Sequence, residues 1–410
     1  MFAPAALLDK LFRVAVAAAD PAVCMPPLLP PPPTGRTIVV GCGKAAAAMA
    51  AAVERNWDAP IEGLVVTRDG HGVTLRRIAL CEAAHPHSDE ASRNAATDML
   101  ARVAGLTRDD LVIALVSGGG SALLSLPAPG LSAADKALVL ARLLHCGAPI
   151  RDINIVRRRL SANKGGRLAA AAYPAHVHSI VVSDVPGDDP ALVASGPTFA
   201  DTASPGTASD ILNSWRILLP EAVLNFLNQP PVPLGPSITT FAIAATAQTA
   251  LEAARAAAVT ADIHCRILSD RIECESRIVG AEHAAFARAQ LPNRPLLLLS
   301  GGETSVTVRG KGQGGRNTEY LLAFAQGIEG LPIAALAADT DGIDGSGDDA
   351  GAYADGTTAT RARKAGLNLT AYLADNKAYA VFNALGDLIM TGPSRTNVND
   401  FRAMLVGVTP

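Results

Sequence analysis

Aromatic residues are scarce in this 410-residue sequence, at 4%, and charged residues make up only 18% of it. A core must therefore be built mainly from Ala, Leu, Val and Ile, and a hydrophobic fraction of 49% excludes a disordered chain. The six cysteines are scattered singly, with no C-x-x-C pair and no metal-ligand spacing. This pattern is typical of reduced thiols, so we expect a cytoplasmic protein.

Clustered positive charge and long hydrophobic runs are also lacking. The net charge is −3, which gives no electrostatic footprint for nucleic acid. The longest unbroken apolar run covers residues 45–53, far short of the ~20 residues that span a bilayer. Charged residues interrupt the apolar N-terminal stretch with no basic segment before it, which argues against a signal peptide. We expect small-molecule partners, no nucleic acid and no membrane, with homo-oligomerisation left open.

Short β-branched runs alternate with Ala-rich helical stretches along most of the chain, beginning with TIVV at Thr37. This alternation predicts crossover units on a parallel sheet. Two proline-rich segments interrupt it. Residues 26–33 predict a stiff connector, and residues 229–237 predict the domain boundary. In the second half, SVTVRG from Ser305 predicts a further strand.

The first glycine loop, VVGCGKAA, places Gly41 and Gly43 between a predicted strand and a helix that we expect to begin at Lys44. Backbone N–H groups in such a loop can approach an anion, and the helix N-terminus adds roughly half a positive charge. A lysine there is unfavourable unless an anion compensates it, which favours anion binding over a solvated lysine at a fraying end. The loop also matches the dinucleotide pattern G-x-G-x-x-A weakly, with Asp69 near the position of the ribose acid.

Two more glycine loops carry candidate binding residues. In VSGGGSALL, phosphate binding and a tight turn that needs positive φ are equally good interpretations. In RGKGQGGRNTEY, Arg316 stands behind two glycines at a predicted helix start, where an arginine suits bidentate phosphate contacts. The alternative for this loop is a flexible hairpin with solvated charges. The candidates in the VSGGGSALL loop are Ser117, Gly118, Gly119, Gly120 and Ser121.

Two aspartate clusters, SDVPGDDP and AADTDGIDGSGDDAG, follow predicted strands. Any one aspartate there could be a turn residue or a helix cap. Together they favour Mg²⁺, which binds through one or two carboxylates plus substrate phosphates. We expect Asp184, Asp188 and Asp341 to be the metal ligands.

Two weaker features have structural alternatives. Arg157 opens a run of three arginines that is typical of a solvated helix face, with a carboxylate clamp as the alternative. His85 precedes a proline and indicates a structural histidine, with substrate contact as the alternative. No Ser-His-Asp, Cys-His or zinc arrangement can be assembled from the motifs, and the P-loop pattern G-x-x-x-x-G-K-[ST] is missing.

Seven runs closely resemble, in this order, the glycerate 2-kinases of the MOFRL type: VVGCGKA, LVSGGGSALL, VRRRLSANKGGRLA, SDVPGDDPALVASGPT, LLSGGETSVTVRGKGQGGRNTE, TDGIDG and LGDLIMTGPSRTNVND. The resemblance covers about residues 7–406. It implies ATP-dependent phosphorylation of D-glycerate at the 2-hydroxyl, giving 2-phosphoglycerate and ADP with a divalent cation, Mg²⁺. It also implies two α/β domains with the active site in the cleft between them. Members of this family have often been labelled hydroxypyruvate reductases.

The resemblance also implies residue roles. The catalytic pair falls on Lys44 and Arg316. Substrate or nucleotide contacts fall on Arg157, Lys164, Glu303, Asn317, Asn397 and Asn399. The sequence departs from the family pattern at Asn163, Thr318, Asp339 and Arg395, the last of which bears on substrate preference. We therefore expect an α/β protein with a doubly wound, Rossmann-like domain over residues 1–234. A smaller α/β MOFRL-containing domain with a mixed sheet would cover residues 235–410.

Two other functions compete with the kinase. A NAD(P)H-dependent hydroxypyruvate reductase would use GCGKAA as its dinucleotide turn, but it lacks a clear ribose acid and a convincing histidine acid/base. A non-catalytic sugar-phosphate sensor would assign no function to the second half of the chain. Phosphoryl transfer needs mainly positioning and charge neutralisation, which the lysine, arginine and aspartates can supply.

Overall fold

The computed structural model describes residues 4–204, 206–230, 232–291 and 294–408. The chain divides into two compact units. Unit 1 comprises Met1–Cys24, Ser183–Gly187 and Ala245–Pro410, and unit 2 comprises Met25–Val182 and Asp188–Ala244. The N-terminal helix and a short central segment therefore belong with the C-terminal part of the chain, a grouping that a single boundary at residue 234 does not include. Pro231, in the predicted linker, lies outside the described residues.

The helices include the predicted Ala-rich stretches and others that are not rich in alanine, such as Ile150–Arg159. In chain order they are α1 (Pro4–Ala18), α2 (Pro21–Cys24), α3 (Ala46–Asn56), α4 (Glu90–Val103), α5 (Gly120–Leu123), α6 (Ala133–His145), α7 (Ile150–Arg159), α8 (Arg167–Ala171), α9 (Thr207–Ser214), α10 (Glu221–Leu227), α11 (Ala247–Thr260), α12 (Ser276–Ala289), α13 (Arg316–Gly327), α14 (Thr358–Lys364), α15 (Leu369–Ala374) and α16 (Ala378–Leu385). In the described part of the chain, none of them is both long and apolar enough to cross a membrane.

Unit 2 is built on a six-stranded parallel sheet in the order β3-β2-β1-β4-β5-β6. The strands are β1 (Thr37–Cys42), β2 (Glu62–Arg68), β3 (Ala79–Ala83), β4 (Leu111–Ser117), β5 (His176–Val182) and β6 (Ile238–Ala245). Both β1 and β4 are buried along their whole length, as continuous apolar runs covered on both faces should be. The order confirms the doubly wound, Rossmann-like fold. Its switch point lies between β1 and β4, where α/β proteins bind ligands.

Unit 1 is built on a mixed six-stranded sheet in the order β11-β10-β9-β12-β8-β7, which confirms the second predicted α/β fold. The strands are β7 (His264–Ser269), β8 (Leu296–Gly302), β9 (Ile333–Asp339), β10 (Gly351–Asp355), β11 (Leu388–Ile389) and β12 (Asp400–Val406). Among the strand pairs described for this sheet, only β7–β8 is parallel, and β12 runs antiparallel between β8 and β9. In this register Asp400 pairs with both Gly302 and Asp339.

The predicted strand from Ser305 is wrong. The segment forms one isolated bridge, between Ser305 and Glu275, and otherwise runs as an irregular loop. The carboxylate of Glu275 accepts the backbone N–H of Thr307, and the side-chain oxygen of Asn376 accepts the N–H groups of Arg309 and Gly310. Side chains therefore satisfy the backbone groups that a neighbouring strand would otherwise have bound.

Candidate active site

The first two glycine loops lie side by side at the switch point of the unit 2 sheet. The Lys44 N–H donates to Gly118 O at 2.8 Å, and the Ala45 N–H donates to Ser117 Oγ at 3.1 Å. Gly43 has φ +125°, and a Cβ added there would lie 2.2 Å from Ser117 Oγ. Only glycine fits such an approach, so the two loops form one surface around the ends of β1 and β4.

Lys44 lies in the turn before α3, which begins at Ala46 rather than at Lys44 as the sequence suggested. The side chain is half-buried and runs along the face of Gly119. A Cβ added to Gly119 would lie 3.1 Å from Lys44 Cγ and 3.2 Å from His85 Nε2. The structure therefore brings His85, interpreted from the sequence as structural, to the same surface as Lys44.

Behind this surface, a hydrogen-bond network joins Ser121 to α7. Ser121 Oγ lies 2.7 Å from Ser195 Oγ, and Ser195 donates to Asn154 Oδ1 at 3.0 Å. Arg157 donates to the same Asn154 oxygen. Ser195 adopts a left-handed backbone with φ +62°, which a non-glycine residue tolerates only where the surroundings hold it. The network holds these polar side chains in fixed positions.

Lys164 is fully buried, and its Nζ donates to Ala194 O at 3.0 Å and Gly120 O at 3.4 Å. Burial lowers the pKa of Lys164 to about 7 and that of Arg157 to about 10, because a buried cation is poorly solvated. The arginine run is no solvated face. Arg158 pairs with Asp201, and Arg159 lies over the ring of Phe226 at 4.4 Å.

In unit 1, Arg316 begins α13 and is held by three carboxylates. Its Nη1 donates to Glu303 Oε1 at 2.6 Å, its Nη2 to Asp339 Oδ2 at 2.8 Å and its Nε to Asp400 Oδ1 at 2.7 Å. These carboxylates hold the pKa of Arg316 well above its usual value despite burial, which opposes them. The β8–β12–β9 register explains the arrangement, since Asp400 and Asp339 pair across strands and Glu303 directly follows β8.

Asp400 also binds Arg402 and Asn317. The fully buried guanidinium of Arg402 donates to Asp400 Oδ2, while Asn317 Nδ2 donates to Asp400 Oδ1 at 2.8 Å. At the start of α13, the side chain of Asp344 accepts the backbone N–H groups of Asn317 and Thr318. A carboxylate at a helix N-terminus is stabilised by the helix dipole. These contacts fix the guanidinium of Arg316 at the sheet edge.

Asn397 and Asn399 both bind Asp184. Asn397 Nδ2 donates to Asp184 Oδ2 at 3.1 Å, and Asn399 Nδ2 donates to Asp184 O. Asp341 is fully buried in the neighbouring TDGIDG turn, where its Oδ1 accepts the Ile343 N–H at 2.8 Å. The predicted ligand Asp188 belongs to unit 2, whereas Asp184 and Asp341 belong to unit 1.

The described residues contain no group of three or more His, Cys, Asp or Glu side chains arranged to hold a metal. Mg²⁺ does not require one, because it usually keeps several waters and binds through one or two carboxylates plus substrate phosphates. Asp184 and Asp341 offer carboxylate oxygens, which are hard donors of the kind that Mg²⁺ prefers, so their chemistry fits such a site.

Two family models match the chain. A domain of unknown function, DUF4147, matches residues 7–228, and the MOFRL family model matches residues 296–400. The D-glycerate 2-kinase of Thermotoga maritima is 35% identical over 98% of both chains. The chain belongs to the MOFRL-type glycerate 2-kinase family. The crystal structure of the glycerate kinase from Thermotoga maritima covers 98% of this chain and 99% of its own, at 34% identity and a TM-score of 0.87.

Another relative in this kinase family carries a different name. A protein of Agrobacterium vitis is 46% identical over 98% of this chain and 94% of its own, and it is provisionally named a hydroxypyruvate reductase. Proteins of one kinase family therefore carry two different names.

Sequence reasoning missed several residues that the structure places at the candidate site of this family member. Asp400 and Arg402 lie in a strand whose sequence indicates only that it is buried. Nothing in the sequence indicates that Asp400 binds both Arg316 and Arg402. Asn154 and Ser195 likewise become visible only through their contacts. For Asp400, the one available signal was a charged residue at the start of an apolar strand, directly after TNVN.

Proposed function

We propose that this protein transfers the γ-phosphoryl group of ATP to the 2-hydroxyl of D-glycerate, releasing 2-phosphoglycerate and ADP. The observation that carries the proposal is the position of Lys44. Its backbone is fixed to the second glycine loop, and its side chain lies along Gly119 at the switch point. A lysine fixed beside backbone N–H groups suits an anionic phosphate.

Arg316 is the second proposed catalytic cation. A guanidinium has five N–H donors, and three of those of Arg316 donate to carboxylates. The remaining donors can bind a phosphoryl oxygen while the carboxylates keep the group oriented. Orientation of fixed charge toward the transferring group is the main demand of phosphoryl transfer.

We propose Mg²⁺ as the divalent cation, with Asp184, Asp188 and Asp341 as contributors. When bound, the ion neutralises charge on the ATP phosphates. Asn397 and Asn399 orient Asp184 through their amide donors. In the proposed arrangement Gly118, Gly119 and Gly120 leave room for a phosphate, and Arg157 and Lys164 add positive charge behind it. The scattered single cysteines support a cytoplasmic location.

The reductase alternative is favoured by the Rossmann-like strand order and by the name of the relative from Agrobacterium vitis. The end of β2, where a dinucleotide site would need an acid for the ribose, argues against the reductase. Thr67 at this end donates its hydroxyl to the carbonyls of Gly43 and Lys44, so it stabilises the glycine turn. A dinucleotide turn also uses the Lys44 position only as a spacer.

One experiment tests both functions and the position of phosphorylation. Purified protein is given D-glycerate and MgATP with enolase as the coupling enzyme, and in parallel hydroxypyruvate with NADH. Enolase accepts 2-phosphoglycerate directly, so we expect a signal with enolase alone and no oxidation of NADH. A signal that requires added phosphoglycerate mutase would mean phosphorylation at the 3-hydroxyl. Oxidation of NADH without release of ADP would overturn the proposed kinase activity.

A further inference from the structure

A small polar cavity, separate from the candidate active site, lies in unit 2 between the start of α4 and the first turns of α6. It has a volume of about 130 Å³, and its polar lining consists of His87, Ser88, Arg93, Ser125 and Lys136. None of the described residues that line it is an aspartate or a glutamate. Neither glycine loop contributes to the lining, so the cavity is not the candidate active site.

Lys136 is the central feature of this cavity. The residue is only 3% exposed, and its Nζ contacts two neutral acceptors, Ser125 Oγ at 3.2 Å and Leu126 O at 3.4 Å. Neither Lys136 nor Arg93 forms an ion pair in the described part of the chain. In its protonated form Lys136 can donate three hydrogen bonds, so these two contacts then leave one donor for another acceptor.

The electrostatic surroundings of Lys136 are positive. Burial, with smaller contributions from the charges of Lys164 and Arg157, lowers its pKa to about 6. Burial of a cation without a counter-ion is costly in free energy, and an anion in contact with it removes much of that cost. A cavity that contains a lysine, an arginine and no carboxylate is therefore chemically suited to an anion, which would stabilise the charged form of Lys136.

We propose that this cavity binds a small oxyanion, either the carboxylate of a three-carbon acid or a free phosphate, between Lys136 and Arg93. The size excludes a nucleotide, because sites for ligands of that size usually measure ~300–1,000 Å³. Ser125, whose Oγ accepts from Lys136, would donate its hydroxyl to the anion, whereas the Ser88 hydroxyl already donates to Ala122 O. The inference does not rest on the proposed kinase activity, since binding of the oxyanion needs neither ATP nor phosphoryl transfer.

The test measures how far an anion protects Lys136 from modification. The whole protein, without nucleotide, is treated at pH 7.5 with cyanate, a small reagent that carbamylates neutral amines, and each lysine is quantified by peptide mass spectrometry. D-glycerate and inorganic phosphate are compared with sodium chloride at equal ionic strength. We expect one of the two oxyanions to lower the rate of Lys136 carbamylation by about tenfold, and the effect to saturate. A charge-assisted hydrogen bond changes an equilibrium constant by about this factor. The exposed Lys364 should show none.

Arg93→Met separates this cavity from the candidate active site. It leaves Lys136 available for carbamylation, and protection should then need roughly tenfold more anion. Which anion protects identifies the source: D-glycerate alone means a carboxylate, and phosphate alone means a phosphate. Equal protection by chloride, or unchanged protection in Arg93→Met, would overturn the proposal.

A second measurement covers the case in which cyanate does not reach Lys136. The rise in Tm with added D-glycerate or phosphate is compared for the wild type, Lys136→Met, Arg93→Met and the control Lys364→Met. The first two variants should show a smaller rise than the wild type at equal anion concentration, and the control should match the wild type. The same rise in all four proteins would overturn the proposal.

Discussion

Asp339 accepts a hydrogen bond from Nη2 of Arg316 at 2.8 Å, at the carboxyl end of β9. On the adjacent strand, Asp400 accepts from Nε of the same guanidinium, and Glu303 accepts from Nη1. The proposed catalytic arginine is therefore fixed in orientation, but its positive charge is largely compensated. In the proposed mechanism, the negative charge of these carboxylates weakens the attraction of Arg316 for a phosphoryl group.

We predict that Asp339→Asn lowers the KM for ATP by roughly fivefold, the equivalent of about 1 kcal/mol, with kcat changed little. The variant removes one negative charge beside Arg316, while the asparagine oxygen can still accept the Asp341 N–H that Asp339 Oδ1 accepts at 3.0 Å. Steady-state kinetics at varied ATP check the prediction. An unchanged or higher KM would show that Asp339 does not limit the charge of Arg316.

Asp400→Asn should behave differently, because Asp400 is as buried as Asp339 but pairs with a second, fully buried arginine, Arg402, as well as with Arg316. Loss of one partner of a buried ion pair typically destabilises a protein by about 3–5 kcal/mol. We expect a clear drop in Tm for Asp400→Asn and little change for Asp339→Asn, whose arginine keeps two other carboxylates. Equal Tm values for the two variants would contradict this difference.

We predict that Lys44→Met and Arg316→Met each lower kcat by about 10³-fold or more in a folded protein. If both cations act on the same phosphoryl group, the double variant should lose far less than the product of the two single losses. Lys364→Met, at the exposed end of α14, is the matched control and should keep full activity. Near-normal turnover in either single variant would remove that residue from the catalytic pair, and multiplicative losses would mean that the two act independently.

The fold was largely predictable because its strands are strong local signals. Runs such as LVIALV in β4 and IAALAA in β9 are apolar, short and bounded by glycine or aspartate, which is what a buried strand requires. The sequence around Ser305 carries a similar alternation, but Glu275 and Asn376 bind its backbone and prevent a strand. Local preference was overridden there by residues distant in the sequence.

The candidate site was less predictable because it depends on which strand ends meet. Lys44 and the VSGGGS loop were both recognisable, yet their contact follows from the pairing of β1 with β4, about 75 residues apart in the chain. The contact of Arg316 with Asp400 depends in the same way on the position of β12 between β8 and β9. Strand order and register are properties of the whole sheet, and local patterns do not contain them.

Asp341→Asn should raise the Mg²⁺ concentration needed for half-maximal activity by roughly tenfold or more, by analogy with the loss on perturbing a metal site. The turn itself should survive, because an asparagine oxygen can still accept the Ile343 N–H. The matched control is Asp348→Asn, an exposed aspartate in the same loop that accepts from the Tyr379 hydroxyl. Unchanged Mg²⁺ dependence in Asp341→Asn would remove this residue from the proposed ligands.

The core of unit 1 contains a buried histidine, His283, on α12. His283 is 8% exposed, and its Nδ1 lies 2.9 Å from the hydroxyl of Tyr320. Burial, with a smaller contribution from Arg402, lowers the pKa of His283 to about 4, from an ordinary 6.5. Between pH 6.5 and pH 4 the unfolded chain therefore binds a proton that the folded protein does not, and stability falls as the pH falls through this window.

We predict that His283→Gln removes this part of the pH dependence. Glutamine does not titrate and can still hydrogen-bond Tyr320, so its free energy of unfolding should decline less between pH 6.5 and pH 4, by up to roughly 3 kcal/mol. Above pH 7 the histidine is mostly neutral in both states, and the two proteins should then differ by a constant offset. Urea unfolding at a series of pH values measures both quantities. Parallel curves from pH 7.5 down to pH 4 would mean that His283 takes up its proton in the folded protein as readily as in the unfolded chain.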